Sequence, residues 1–153
     1  MITKQCNSAW QTRWERSTVA RPTYDLIPTV GRRLLFPDDR CCAISYARLL
    51  LDDTLLKVHQ QRYGIDVSRE CECGHGIADA HHFFLECERH GHLRKLLNDD
   101  IGVIWETSSN EANFSPSVSF LLAIYNNRNL KQQEICEILL AVFRFIGNSS
   151  RRL

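Results

Sequence analysis

From residue 71 to residue 87 the chain reads Cys-Glu-Cys-Gly-His-Gly-Ile-Ala-Asp-Ala-His-His-Phe-Phe-Leu-Glu-Cys, three cysteines and three histidines in seventeen residues. Thiolate and imidazole are the ligands zinc takes in a closed structural tetrahedron, and Cys71, Cys73 and Cys87 with one of His75, His81 or His82 make up such a shell. Gly74 directly follows the second cysteine, where a backbone turning tightly enough to aim two sulfurs at one ion needs a residue free of Cβ constraint. Cys6, Cys41, Cys42 and Cys136 stand outside any ligand spacing and read as small core hydrophobes or surface thiols. Disulfides fit poorly, because seven cysteines is an odd number and residues 1–7 are polar with no apolar run behind them. A reducing, intracellular compartment, cytoplasmic or nuclear, is the expectation.

The elements around the motif must bring its two halves together. Asp79 is a good N-cap for a helix over residues 80–86, whose Phe83, Phe84 and Leu85 offer apolar surface beside the ligands. His82 and Cys87 are five apart, about 140° around an ideal helix. Both can bind one ion only if the helix loosens near Cys87. His81, six residues away and displaced by about 240°, fares no better. Directly after Cys87 come Arg89, His90, His92, Arg94 and Lys95, the densest cationic stretch of the chain, with Arg69 just ahead of the motif. Such a cluster serves either a phosphate-tracking surface or an ordinary solvated helix face.

With C-x-C-G, a short gap, H-F-x-L-x-C and a downstream Arg-Lys-Leu-Leu, residues 49–94 resemble the C-terminal cysteine-histidine region of non-LTR (LINE-like) retrotransposon reverse transcriptase polyproteins. Trp10-Gln-Thr-Arg-Trp14 is similar to that family's upstream tryptophan segment, and residues 143–152 to its aliphatic-aromatic helix with a small-residue-plus-Arg tail. The resemblance implies Cys71, Cys73, His82 and Cys87 as the four ligands of a Zn2+ ion. It also implies a module that holds element RNA or target DNA while catalytic domains elsewhere in a polyprotein act, with Arg69, Arg89, Arg94 and Lys95 as the phosphate contacts. One departure is that Leu51-Asp52-Asp53-Thr54 stands where many members have an Arg-Thr-Gly-His type turn, so no contact made by that turn carries over.

The rest of the chain bounds the setting. At 153 residues and 44% hydrophobic content, it is long enough for one core burying about 68–70% of the unfolded surface. The longest apolar run, residues 138–143, is far short of the ~20 residues of a membrane span, so no membrane partner is expected. A net charge of +1 argues against a whole-surface electrostatic binder and leaves local patches. The expected architecture is all-α, a small helical domain with an embedded CCHC zinc-binding turn. Residues 1–40 read as an irregular, basic, tryptophan-containing segment, and residues 41–153 as the helical domain with its metal motif at 71–87.

Within the first part, Trp10 and Trp14 share a helix face that packs on the core or stacks on bases, the core use being the commoner. Residues 43–51 form a helix with Ile44, Ala47, Leu50 and Leu51 at core spacing, and residues 55–63 a second one ending at Gly64. Residues 101–113 read as an irregular connection. Ser115 and Pro116 open a helix running through Phe120 and Tyr125, and residues 130–146 form a last helix, ended by Gly147, whose Ile135, Ile138, Leu139, Val142, Phe145 and Ile146 make a core or partner-docking face. The paired aspartates 38–39, 52–53 and 99–100 read as solvated caps. An enzyme is not expected, because a closed ligand set leaves no position for a reacting water. The competing function is a protein-interaction domain whose zinc is architectural.

Overall fold

The computed structural model describes residues 2–108, 116–149 and 153. Helices α1 (Ile2–Arg16) and α2 (Arg21–Leu26) come first, then α3 (Arg40–Leu50) and α4 (Lys57–Arg62). After the cysteine-histidine motif follow α5 (Gly91–Ser108), α6 (Val118–Leu122) and α7 (Gln132–Asn148). Among the described residues no strand forms, and extended pairing is limited to one antiparallel bridge between Glu70 and Ile77. The all-α class is as expected.

The last helix is the centre of the fold. Its apolar residues recur at three and four, which aligns Ile135, Ile138, Leu139, Val142, Phe145 and Ile146 on one stripe, and all six are buried. Helix α5 packs along it most extensively, followed by α3. The stripe is therefore consumed by the chain's own core rather than left as a docking face. Gly147 does not end α7, which runs on to Asn148 before Ser149 Oγ donates to the Ile146 carbonyl at 2.7 Å. At its start Glu134 accepts the Lys131 N–H at 2.6 Å, satisfying a donor left over at the helix N-terminus.

Helix α3 begins where its cap predicts, with the Cys42 N–H donating to Asp39 Oδ1 at 2.7 Å. Its buried face, however, is Cys42, Ser45, Tyr46, Leu49 and Leu50, while Ile44 and Leu51 stay exposed. Tyr46 decides this rotation: it is fully enclosed, meets Phe143 edge-on at 4.9 Å, and places its hydroxyl 3.4 Å from the Leu122 carbonyl. Helix α4 ends as expected, with Gly64 in the left-handed region at φ 74°.

Asp52, itself left-handed at φ 53°, holds Nε2 of His59 at 3.0 Å and the Arg62 guanidinium at 2.8 Å. The Thr54 N–H donates to His59 Nδ1 at 2.9 Å, so Nε2 carries the proton given to Asp52. Thr54, His59 and Asp52 stand in the order of a nucleophile, a base and an orienting carboxylate. Thr54 and His59 are each only 3% exposed, and the Thr54 hydroxyl accepts the Leu56 N–H, so this array braces the turn between α3 and α4. Asp52 is thus more than a solvated cap, and the Asp99–Asp100 pair is not a cap at all. It lies inside α5, where Asp100 pairs with Arg144 of α7 at 3.0 Å.

Three further sequence expectations are corrected. Residues 2–16 and 21–26 are helical where an irregular segment was expected. The N-terminal side of the expected connection at 101–113 belongs to α5, because Leu93, Leu97, Ile101 and Ile104 continue a helical stripe onto the core as far as Ser108, and the remainder of that connection lies outside the described residues. Ser117, not Ser115, caps α6 by accepting the Phe120 N–H at 3.0 Å, and Ser115 lies outside the described residues. That helix stops at Leu122, and a 3₁₀ turn over Ile124–Asn126 carries Tyr125.

Candidate metal centre

Two short elements meet at the motif. The first is a narrow hairpin around the Glu70–Ile77 bridge, closed by Cys71 N–H to the Gly76 carbonyl at 3.0 Å and Ala78 N–H to the Arg69 carbonyl at 2.8 Å. Its tip folds back through Gly74 N–H to the Cys71 carbonyl at 3.0 Å, and Gly74 and Gly76 sit at φ 82° and 77°, a region open chiefly to glycine. This brings the Cys71 and Cys73 sulfurs to one side. The Val58 N–H reaches the Ala78 carbonyl at 3.4 Å and ties the hairpin back to α4.

The second element starts at Asp79, whose carboxylate accepts the His82 N–H at 2.8 Å as expected for an N-cap. It then widens into a π turn over His82–Glu86, closed by Cys87 N–H to the His82 carbonyl at 2.7 Å. A π turn pairs residues five apart. The 140° conflict is resolved this way, since the extra residue in the turn places Cys87 below His82 and the chain leaves the helix at Cys87 with ψ 118°. Phe83 and Phe84 point the other way, into the main core against Phe145 at 5.3 Å each.

Cys71, Cys73, His82 and Cys87 consequently converge, with their ligand atoms all within 4.8 Å of one another. The sulfurs of Cys71 and Cys87 are 3.8 Å apart. Two sulfurs each ~2.3 Å from one zinc at the tetrahedral angle would also lie about 3.8 Å apart, whereas a disulfide needs about 2.0 Å. Nε2 of His82 is 3.2 Å from the Cys73 sulfur. The competing histidines are turned to solvent: the side chains of His75 and His81 are 70% and 61% exposed against 5% for His82.

Several groups that the sequence reading missed hold this arrangement. Glu86 lies 3.3 Å from His82 Nδ1, on the side of the ring away from Cys73, and so orients the imidazole. The His75 N–H points at the Cys73 sulfur at 3.4 Å. Burial pushes the Cys87 thiol up to about 11, so a cation beside it is what would keep it as thiolate. Gly76 is packed on His82 so closely that a Cβ there would stand 2.8 Å from Nδ1. Gly76→Ala is therefore expected to displace the imidazole and strain the hairpin by roughly 1–2 kcal/mol, lowering metal affinity at least tenfold in a competitive chelator titration. Gly74, with nothing near its Cβ position, serves as the comparison: Gly74→Ala bears the backbone strain without the collision.

The four basic residues singled out around the motif have different fates. Arg94 donates to the carbonyls of Cys87 and Glu86 at 3.1 and 3.3 Å, satisfying the two acceptors at the end of the π turn. Arg89 pairs with Glu72 and Arg69 with Gln61, all at the surface, and Lys95 is exposed. Compared with known proteins, the chain matches no family model, no curated protein and no solved structure.

Proposed function

We propose that this chain is a zinc-stabilised nucleic-acid-binding module, similar to the region after reverse transcriptase in non-LTR elements, that holds RNA or target DNA without catalysis of its own. The carrying observation is the convergence of three sulfurs and one imidazole nitrogen to within 4.8 Å of one another, with the Cys71 and Cys87 sulfurs at the 3.8 Å that a shared zinc would give. A soft, closed set of this kind suits zinc and leaves no coordination position for a reacting water, which supports an architectural rather than a catalytic metal. The ion ties the hairpin after α4 to the π turn before α5. It thereby fixes Arg69, Arg89 and Lys95 on the surface around one rigid node.

The test is retention of single-stranded RNA at graded ionic strength. With about three phosphate contacts the logarithmic salt slope for a single strand is about −2, so affinity falls roughly 20-fold between about 50 and 200 mM salt. Failure to retain RNA or single-stranded DNA even at low salt sinks the reading. A protein-interaction domain then takes its place, favoured by the exposed Ile44 and Leu55, which with Cys41 line an apolar recess on the outer side of α3.

A further inference from the structure

The basic N-terminal helix carries a surface that the metal node does not use. The Trp14 indole N–H donates to the Ile27 carbonyl at 2.9 Å, and its ring meets Tyr24 at 5.8 Å, so this tryptophan is anchored. Gln11 clamps the following segment to the helix, with its amide nitrogen donating to the Pro28 carbonyl at 2.9 Å and its oxygen accepting the Val30 N–H at 2.8 Å. Between α1 and that clamped segment lies an open groove of about 340 Å³ lined by Trp10, Arg13, Trp14, Ser17 and Val30. Trp10, one turn from Trp14, is 69% exposed, where a core role was the commoner expectation.

Charge selects the occupant. Arg13 lines the groove, whereas Arg21 lies over the Tyr24 ring at 3.7 Å and donates to the Ser17 carbonyl at 3.2 Å, so Arg13 is the cation placed along the groove. Glu15, the acid of α1, sits about 140° around the helix from Trp10 and accepts from Gln11 at 2.9 Å. The groove thus offers flat π surface for stacking and a cation for an anionic backbone, the combination that single-stranded nucleic acid requires.

We propose that single-stranded RNA or DNA docks in this groove by stacking a base on Trp10, with Arg13 facing its phosphates. The proposal deepens the nucleic-acid reading and rests on it, adding base contact on the first helix to the phosphate contacts proposed beside the metal node, where Arg94 is committed to backbone carbonyls.

The test uses the full zinc-loaded chain and a short labelled oligouridylate at low salt, read by anisotropy and by tryptophan quenching. Wild type is expected to bind with quenching. Trp10→Ala is expected to lose most of the quenching and to weaken binding about 5- to 150-fold with unchanged metal content and helical signal, whereas Trp10→Phe, which keeps a ring, retains most of the affinity. Arg13→Gln is expected to reduce the logarithmic salt slope by about 0.7. If wild type binds and Trp10→Ala binds equally tightly, the groove assignment is overturned while the nucleic-acid reading stands. If wild type binds no oligouridylate, both fall. Trp10-dependent capture of a poly-glutamate peptide without oligouridylate binding overturns them in favour of an acidic protein partner.

Discussion

Cys73→Ser and His82→Ala are each expected to release about one equivalent of zinc and to lose the order of the hairpin and π turn together. The two residues come from the two different elements, and their ligand atoms are 3.2 Å apart across the junction. The small apolar cluster at the junction, separate from the main core, consists of Ala78 and the ligand residues Cys71, Cys73 and Cys87 themselves. Structural zinc contributes about 10–16 kcal/mol in small peptides near neutral pH, against about 5–15 kcal/mol for the whole stability of a typical domain. Losing even ~4 kcal/mol would lower Tm by about 8–16 °C in a chain of this size. Metal analysis of the purified variants, with thermal melts followed by circular dichroism, checks both parts. Unchanged zinc content in both variants would show that the ligands are misassigned, and chelation of the wild type should reproduce the loss.

Phe84→Ala tests the other side of the same turn. Phe84 is completely buried, stacks on Phe145 at 5.3 Å and 23°, and meets Phe83 edge-on at 5.0 Å. Truncating such a ring costs about 3–5 kcal/mol through lost transfer energy and the cavity left behind. At about 2–4 °C per kcal/mol, Tm should fall by roughly 6–20 °C. Unlike the ligand variants, Phe84→Ala is expected to keep one zinc per chain well below its melting temperature, because the ligand cluster lies outside the core that loses the ring. A variant that melts within about 2 °C of wild type, less than ~1 kcal/mol on this scale, would show that the π turn does not anchor the motif on α7.

How far the sequence carries toward this structure depends on whether local chemistry or tertiary packing decides each point. Asp39 and Asp79 mark their helix starts because a side-chain oxygen satisfying a free N–H is a local act, and both carboxylates do this. The stripe of α7 is legible for a similar reason, its period being an internal property of the segment. The burial face of α3 is not legible locally, because Ile44 and Leu51 are apolar enough to be core residues and only the position of Phe143 and Leu122 selects Tyr46 instead. Trp105 and Thr107, weaker helix formers beside a Thr-Ser-Ser-Asn run, do not announce the last turns of α5. They are carried by contacts such as Trp105 on Phe120 at 5.6 Å, which local propensity does not contain.

At the candidate site, the ligand types and the need for a break near Cys87 were readable from spacing. The manner of the break was not. Nothing in His-Phe-Phe-Leu-Glu-Cys favours a π turn over a simple helix end, and the wider turn follows from demanding that His82 and Cys87 face one point while Phe83 and Phe84 reach Phe145. The signal for Gly76 is its place as a second glycine two residues after Gly74, and its meaning depends on which histidine lies beneath it.

The way Arg94 closes the π turn changes how a charge scan of this region would read. Its guanidinium donates to two peptide oxygens at the end of the turn, the Glu86 carbonyl and the Cys87 carbonyl that also accepts the His90 N–H, so neutralising it removes a strut as well as a positive charge. A lost interaction after Arg94→Ala would report on the scaffold first and on any anionic partner second. Lys95, its exposed neighbour, is the residue whose removal subtracts electrostatics alone.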